Sequence, residues 1–313
     1  MTANDSNPGI LLNGLDGSNP LGFLAAVGVL RVTTNADSRS NWRMRWEAHT
    51  GGYWSPVLTG PPRITADSLI ELLNPALKEM HGDPSFEFAD DLTINCEEFR
   101  GVAQSAFDTT SLSDRRFADF IAAFGCDSIP IPISPKDERI QDTALRTMSG
   151  AGHQHFIGFM RELVESTEPG HLRASLFETW QYLDPKPSFR WDPLDDRRHA
   201  LRWKEPSGDP VRTMRGANRL AVEALPLFPT APGERILHTT GFTQSRDEGV
   251  LFTWPIWEVP LNIEATRSLI SLAELQGPRP DRECLMARGV VEVYRSQRIT
   301  IGKYRNFTSA VPV

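Results

Sequence analysis

The apolar run near the start of the chain is the feature that most constrains the fold. It extends from Leu21 to Leu30, contains two glycines and ends at Arg31. A transmembrane helix needs about 20 apolar residues, so this run is too short to cross a bilayer. The residues before it include Asp5 and Asp16 and no Lys or Arg, whereas a secretory signal peptide begins with positive charge. We therefore expect a cytoplasmic protein that is neither exported nor anchored in a membrane.

The pattern around this run predicts a strand, a turn and a helix. Residues 10–15 form a short apolar strand, and the sequence DGSN after it favours a turn. Ser18 or Asn19 can cap the helix, with Pro20 in its first turn, where a missing N–H has no effect. The start of such a helix can hold a phosphate, but an ordinary capped core helix explains the same pattern.

Mixed helical and strand patterns along the rest of the chain predict an α+β fold with several amphipathic helices. Residues 42–46 alternate as a half-buried strand does, and the DDLTINCEEF sequence is typical of another strand. Residues 111–127 have apolar side chains at helical spacing, with Gly125 to end the helix. At 313 residues the chain suits two domains, 1–130 and 131–313, although one large domain also fits.

Charge and cysteine content narrow the class of protein. The formal net charge is −7, whereas an isolated DNA-binding domain is usually basic. Contact with nucleic acid would therefore involve only part of the surface. Cys96, Cys126 and Cys284 are far apart and form no CxxC pair, as expected of reduced cytosolic thiols.

The common motifs of catalysis are missing from the sequence. It has no P-loop, no GxGxxG opening a helix, no GxSxG and no HExxH. His153 and His155 are two residues apart, which alone is weak evidence for a metal site. We therefore expect no enzyme activity, no metal and no cofactor. The alternative is a metal-dependent nuclease or hydrolase that uses His153, His155 and the acidic clusters.

Arginine is concentrated between Asp184 and Arg219, with Trp191 and Trp203 among the arginines. Arginine together with aromatic side chains suits phosphate contact and base stacking. Acidic residues occur in the same stretch, so internal ion pairs explain the composition equally well. The nucleic-acid contacts predicted in this stretch are Arg190, Arg197, Arg198, Arg202, Arg215, Asn218 and Arg219. The last three belong to the RGANR sequence, which starts a helix.

The C-terminal sequence VYRSQRITIGKYRNF is basic and contains no acid. Aromatic residues alternate with its charges, which favours a nucleic-acid surface on an otherwise acidic protein. An edge strand protected by charge is the alternative. The contacts predicted here are Arg295, Arg298, Lys303 and Arg305.

Five blocks of the sequence resemble proteins of type I-U (also called I-G) CRISPR systems. They are LDGSNPLGFLAAVGVLRV, SGAGHQHFIGFMREL, RWDPLDDRRHALRW, RGANRLAVEALPLFP and RSQRITIGKYRNF. They are similar to parts of the subunits that accompany the backbone proteins of Cascade, the guide-RNA surveillance complex. The resemblance is to a protein like the large subunit of that complex. None of the blocks is a defined catalytic motif, so the resemblance assigns no individual residue a role.

The resemblance implies a non-catalytic subunit of a type I effector complex in antiviral defence. Its partners would be guide RNA or target DNA together with neighbouring Cas subunits. Guide-directed recognition leaves sequence choice to base pairing, so such a protein needs backbone contacts and no catalytic motif. A regulator that binds only proteins, with its arginines in internal ion pairs, is a further alternative.

Overall fold

The computed structural model describes residues 9–112, 114–135, 137–148, 154–195, 212–245, 247–301 and 304–313. Within these residues the chain forms eleven α-helices and fourteen β-strands in small antiparallel sheets. The predicted α+β class is therefore confirmed. No helix in the described ranges combines the length and the apolar character needed to cross a membrane.

The first helix, α1 (Pro20–Ala36), lies at the centre of the fold. Asn19 is its N-cap, because its side-chain oxygen accepts hydrogen bonds from the N–H groups of Leu21 and Gly22. Residues 20–33 are all buried, so the apolar run of the sequence is a core helix. A Cβ atom at Gly28 would lie 1.9 Å from the Leu220 carbonyl oxygen of α8 (Arg215–Val222). The two helices therefore touch backbone to backbone.

The other helices surround this pair. They are α2 (Ala66–Lys78), α3 (Pro84–Glu87), α4 (Cys96–Thr109), α5 (Arg116–Phe124), α6 (Phe156–Ser166), α7 (Pro169–Phe177), α9 (Ile263–Ile270), α10 (Ala273–Gln276) and α11 (Arg282–Met286).

Two expectations about this region need correction. The DDLTINCEEF sequence is not a strand, because the Asn95 side chain accepts a hydrogen bond from the Glu97 N–H and caps α4. The helix expected over residues 111–127 is shorter, because the chain becomes extended at Gly125.

A three-stranded and a five-stranded sheet provide most of the strand pairing. The smaller has the order β1 (Ile10–Leu11), β3 (Trp54–Thr59), β2 (Arg43–Ala48). The larger has the order β10 (Phe242–Ser245), β11 (Gly249–Trp257), β12 (Val290–Ile301), β13 (Tyr304–Phe307), and β14 (Val311–Pro312) also pairs with β12. Three two-stranded antiparallel sheets complete the set: β4 (Gly125–Ser134) with β5 (Asp137–Asp142), β6 (Asp184–Pro185) with β7 (Arg212–Thr213), and β8 (Thr230–Pro232) with β9 (Leu237–Thr239).

The buried apolar side chains form one cluster that includes residues from Leu12 to Phe307. Phe23 of α1 connects the two main sheets, since its ring lies 6.1 Å from that of Trp46 on β2 and 5.7 Å from that of Trp254 on β11. The division into two domains after residue 130 stays a prediction.

Candidate nucleic-acid interface

Several of the predicted motifs meet at a short buried segment, residues 188–192. The Phe189 N–H donates to the side-chain oxygen of Asn218 at 3.1 Å. The Trp191 indole N–H donates to the Leu145 carbonyl at 2.9 Å. The rings of Phe189 and Trp191 stack with their centres 4.5 Å apart. The start of α8 and the residues after β5 are therefore held on the same support.

The start of α1 reaches this segment through Asp192. The Asn19 amide donates to one Asp192 oxygen at 3.2 Å, the Leu194 N–H donates to the same oxygen at 3.0 Å, and the Tyr182 hydroxyl donates to the other at 2.9 Å. Asp192 is 1% exposed. Burial raises the pKa of its carboxyl group, and the hydrogen bonds offset only part of this effect.

Residues 143–147, here called the strap, connect this segment to the five-stranded sheet. Successive backbone carbonyls of the strap accept hydrogen bonds from two different partners. The Leu145 carbonyl accepts from Trp191 of the buried segment, whereas those of Ala144 and Arg146 accept from arginines of the five-stranded sheet. The Arg298 Nη1 group donates to the Ala144 carbonyl at 2.6 Å, and the Arg305 Nη1 group donates to the Arg146 carbonyl at 3.1 Å.

The strand register explains why Arg298 and Arg305 are neighbours. Arg298 pairs with Phe307 and Arg305 pairs with Thr300, so both arginines lie on the face of the sheet that carries Phe307. The Phe307 ring contacts that of Phe252, with centres 6.0 Å apart, within the aromatic core. The two arginines therefore lie on the same sheet face as these core aromatic side chains, at the place where a cleft borders the core.

This cleft, here called the arginine cleft, has a volume of about 180 Å³. Besides Arg298 and Arg305, it is lined by polar side chains such as Gln141, Gln244 and His238. Asp142 is the one carboxylate among its described lining residues.

That carboxylate is already engaged by a different arginine. Arg146 forms ion pairs with Asp142 and, at 2.6 Å, with Asp91. Arg146 is 3% exposed, so these pairs are shielded from water and hold the strap in position. The cleft therefore contains the two guanidinium groups of Arg298 and Arg305 and one described carboxylate, and that carboxylate already forms an ion pair with the guanidinium group of Arg146.

The two guanidinium groups of the cleft disfavour each other's charge. Burial and then the neighbouring charge of Arg305 lower the pKa of Arg298 to about 10. This value is far above neutral pH, so Arg298 stays charged. The Nε group of Arg298 is buried without a hydrogen-bond partner among the described residues. Each arginine uses one of its five N–H groups on a strap carbonyl, and an oxyanion would satisfy several of the rest.

Arg295 lies on the same strand but on the opposite face of the sheet. Its three nitrogens donate to the Thr253 hydroxyl at 2.9 Å and to the carbonyls of Pro278 and Gly277 at 2.8 and 2.6 Å. It is 8% exposed. The odd spacing between Arg295 and Arg298 separates them, because side chains alternate along a strand.

The RGANR residues also have partners inside the protein. Asn218 is fully buried and donates to the Thr213 hydroxyl at 3.0 Å. Arg215 donates to the carbonyls of Ser166 and Lys186 at 3.2 and 3.4 Å.

Arg219 is 1% exposed and forms an ion pair with Glu223 at 2.8 Å. The same carboxylate binds Arg31 at 2.7 Å. Arg31, Arg219 and Glu223 are called the ion-pair cluster below. Nucleic-acid contact by Asn218, Arg219, Arg215 and Arg295 stays a prediction, and their geometry lends it no support, because internal groups already occupy these side chains.

Arg190 lies in the buried segment described above. Its backbone has a positive φ of 56°, which is uncommon for arginine, and its side chain donates to the side-chain Oε1 of Gln154 at 2.9 Å. Gln154 directly follows the sequence SGAGH, which lies outside the described residues. Arg197, Arg198, Arg202, Lys303 and His153 also lie outside the described residues.

The alternative metal site finds no cluster in the part of the chain that the structure describes. No group of three or more His, Cys, Asp or Glu side chains there could hold a metal ion. His155 directly precedes α6.

Sequence reasoning missed the roles of three residues that hold the predicted positions in place: Arg146 and Asp192 beside the buried segment, and Arg31 in the ion-pair cluster. Arg146 follows a DxxxR spacing from Asp142, which fits a local ion pair and was the one available signal. Nothing in the sequence links Arg31 with Glu223, because 192 positions separate them.

Comparison with known proteins adds no relative: no protein-family model matches the chain, and no curated protein is significantly similar to it.

Proposed function

We propose that the protein is a non-catalytic, cytoplasmic subunit of a type I CRISPR effector complex. Its arginine cleft contacts the phosphate backbone of guide RNA or target DNA, and other faces meet neighbouring Cas subunits. The proposal combines the resemblance of five sequence blocks with the geometry of the cleft.

The observation that carries the nucleic-acid contact is the pairing of Arg298 with Arg305. Both guanidinium groups bind neutral carbonyls of the strap and form no ion pair with a described residue. An adjacent pair of this kind has excess positive charge and several donors without a partner among the described residues, which is the chemistry that binds phosphate.

The meeting of the resembling blocks supports the same conclusion. The buried segment 188–192 overlaps one of these blocks at Trp191, Asn19 and Asn218 of two others contact it, and the strap joins it to the fifth block. Binding by backbone contact needs such a rigid support and no catalytic group.

The test is a salt titration of binding to a single-stranded oligonucleotide. Replacing Arg298→Gln together with Arg305→Gln should reduce the slope of log K against log salt by about 1.4, because about 0.7 counterions are released per phosphate contact on a single strand. Fluorescence anisotropy at several salt concentrations measures this slope.

The matched control replaces two exposed arginines away from the cleft, Arg39→Gln in the turn after α1 and Arg43→Gln on β2. It removes the same charge and should leave the slope within about 0.3 of the wild-type value, since neither residue lines the cleft. Equal effects of the two double variants would contradict a specific role for the cleft. A stoichiometric transition metal that is lost in a His153→Ala variant would favour the enzyme alternative instead.

A further inference from the structure

Negative charge is concentrated in one part of the chain. Residues 79–142 contain 14 acidic and 5 basic side chains, a formal net charge of −9, whereas the rest of the chain contains 26 acidic and 28 basic ones. This segment forms α3, α4, α5, β4 and β5. The overall acidity of the protein is therefore a property of one region, and that region also contains an open groove.

The groove runs between α3, α4 and the start of α5 and has a volume of about 530 Å³. Its floor is apolar and consists of the half-buried side chains of Phe88, Val102 and Phe117. Glu87 and Glu98 are exposed at its rim. A cavity of this size suits one or two large side chains of a binding partner.

Gly101 opens the groove along α4. It lies in the interior of the helix, it is exposed, and no described atom beyond its chain neighbours and the adjoining helix backbone lies within 4 Å of the position that a Cβ would occupy. After proline, glycine is the least favourable residue in a helix interior, and no contact within the described residues requires it here. A bare helix backbone lets a partner approach closely.

The rim carboxylates are not neutralised by nearby arginines. Asp83 and Asp127 of the same region form ion pairs with Arg116 at 3.5 Å and Arg100 at 2.8 Å. Glu87 and Glu98 form none with a described residue, so their charges can attract an incoming cation.

We propose that this groove, the acidic groove, binds a basic amphipathic helix of a partner protein. Leu or Phe side chains of that helix fill the floor, and flanking Lys or Arg side chains meet Glu87 and Glu98. A nucleic acid is excluded as the occupant, because like charge repels its phosphates. The inference rests on the part of the proposed function that gives the chain protein neighbours, and it is independent of the arginine cleft.

The probe is a fluorescent helical peptide of about 18 residues, five turns, with Leu at helical spacing and Lys elsewhere. A second peptide replaces every Lys with Glu. Anisotropy titrations of the full chain should show binding of the Lys peptide alone. Gly101→Leu, which fills the groove with a residue that favours the helix, should weaken this binding about 10-fold or more.

Neighbouring positions of α4 provide matched controls. Gln104→Leu adds the same side chain to an exposed position outside the groove, and its affinity should stay within about 2-fold of wild type. Glu98→Gln should weaken binding and reduce its salt dependence, whereas Glu97→Gln, which removes an equal charge outside the groove, should do neither.

Equal binding of the two peptides, or a Gly101→Leu variant with wild-type affinity, would overturn the proposal. So would a dimer of the free protein that Gly101→Leu dissociates in sedimentation equilibrium, because a second copy would then occupy the groove. If the chain binds the Lys peptide but no oligonucleotide, the groove proposal is supported and the nucleic-acid part of the proposed function is contradicted. If the cleft variants change oligonucleotide binding but the Lys peptide does not bind, the nucleic-acid contact is supported and the groove proposal is contradicted.

Discussion

The ion-pair cluster and the arginine cleft contain the same side chain in two different electrostatic settings. In the cluster, the carboxylate of Glu223 is 2.7 Å from Arg31 and 2.8 Å from Arg219, and all three residues are buried. In the cleft, Arg298 and Arg305 bind carbonyl oxygens, and the one lining carboxylate is held by Arg146. The first group is internally neutralised to within one charge, whereas the second forms no ion pair with a described residue.

The difference also appears in the pKa values. Burial alone would raise the pKa of Glu223, but the charges of Arg219 and Arg31 outweigh it and hold this pKa below its ordinary value. At Arg298, burial and a like charge act together and lower the pKa. An arginine whose donors are taken up inside the protein, as in the cluster and at Arg295, is therefore a structural element, whereas Arg298, beside a like charge and without an ion pair to a described residue, is a candidate binding group.

The largest effect is expected at the ion-pair cluster. Glu223→Gln leaves Arg31 and Arg219 buried without a charge partner, which should reduce the free energy of unfolding by about 3–5 kcal/mol. Urea denaturation followed by circular dichroism measures this change. Glu97→Gln, an exposed carboxylate of α4, is the control. A Glu223→Gln variant as stable as wild type would mean that the cluster does not hold the fold together.

The same residue predicts a pH dependence. Because the folded pKa of Glu223 is depressed, its stabilising effect is present above its ordinary pKa of 4.5 and is lost as the pH falls through the lower folded value. The stability difference between wild type and Glu223→Gln should shrink in acid.

A smaller loss is expected on the far side of the cleft strand. Arg295→Gln gives up hydrogen bonds to Thr253, Gly277 and Pro278, which should destabilise the fold by about 1–3 kcal/mol. The salt slope of oligonucleotide binding should not change. If the slope fell as it does for cleft variants, the opposite face of the sheet would also take part in binding.

Asp192 is the acidic equivalent of the cleft arginines, because it is a buried carboxylate that forms no ion pair with a described residue. Because burial raises its folded pKa, its contribution to stability is largest below the ordinary pKa of 3.8 and is lost as the pH rises through the folded value. Asp192→Asn keeps an oxygen for Asn19 and Leu194, so this variant should be more stable than wild type at neutral pH. The gain should vanish in acid, and thermal melts at a series of pH values measure it.

The smallest effect on stability is expected at the cleft itself. Arg298→Gln loses one carbonyl hydrogen bond and relieves repulsion with Arg305, so the free energy of unfolding should change by less than about 1 kcal/mol. The salt slope should still fall by about 0.7, which is one phosphate contact on a single strand. A large loss of stability with no change in slope would assign Arg298 to the structural class of Arg219.

Local parts of the fold could be predicted because their causes are local. Asn19 and Pro20 predict the start of α1, and the helical spacing of the apolar residues within 111–127 predicts α5. The strand expected over DDLTINCEEF failed for the same kind of reason, because Asn95 caps a helix within it. The basic tail could be recognised as a candidate surface, and two of its four cations form the cleft.

By itself, the sequence determined the α+β class, the central apolar helix and the excess of positive charge near the C-terminus, because these follow from residue type and short-range spacing. Only the tertiary structure decided which arginines have a carboxylate and which do not. Arg31 meets Glu223 across 192 positions, and Arg298 meets the Ala144 carbonyl across 154. The pKa and the ion pairs of a guanidinium group depend on the atoms within a few ångströms of it. Those atoms come from residues that are distant in sequence and are brought there by folding.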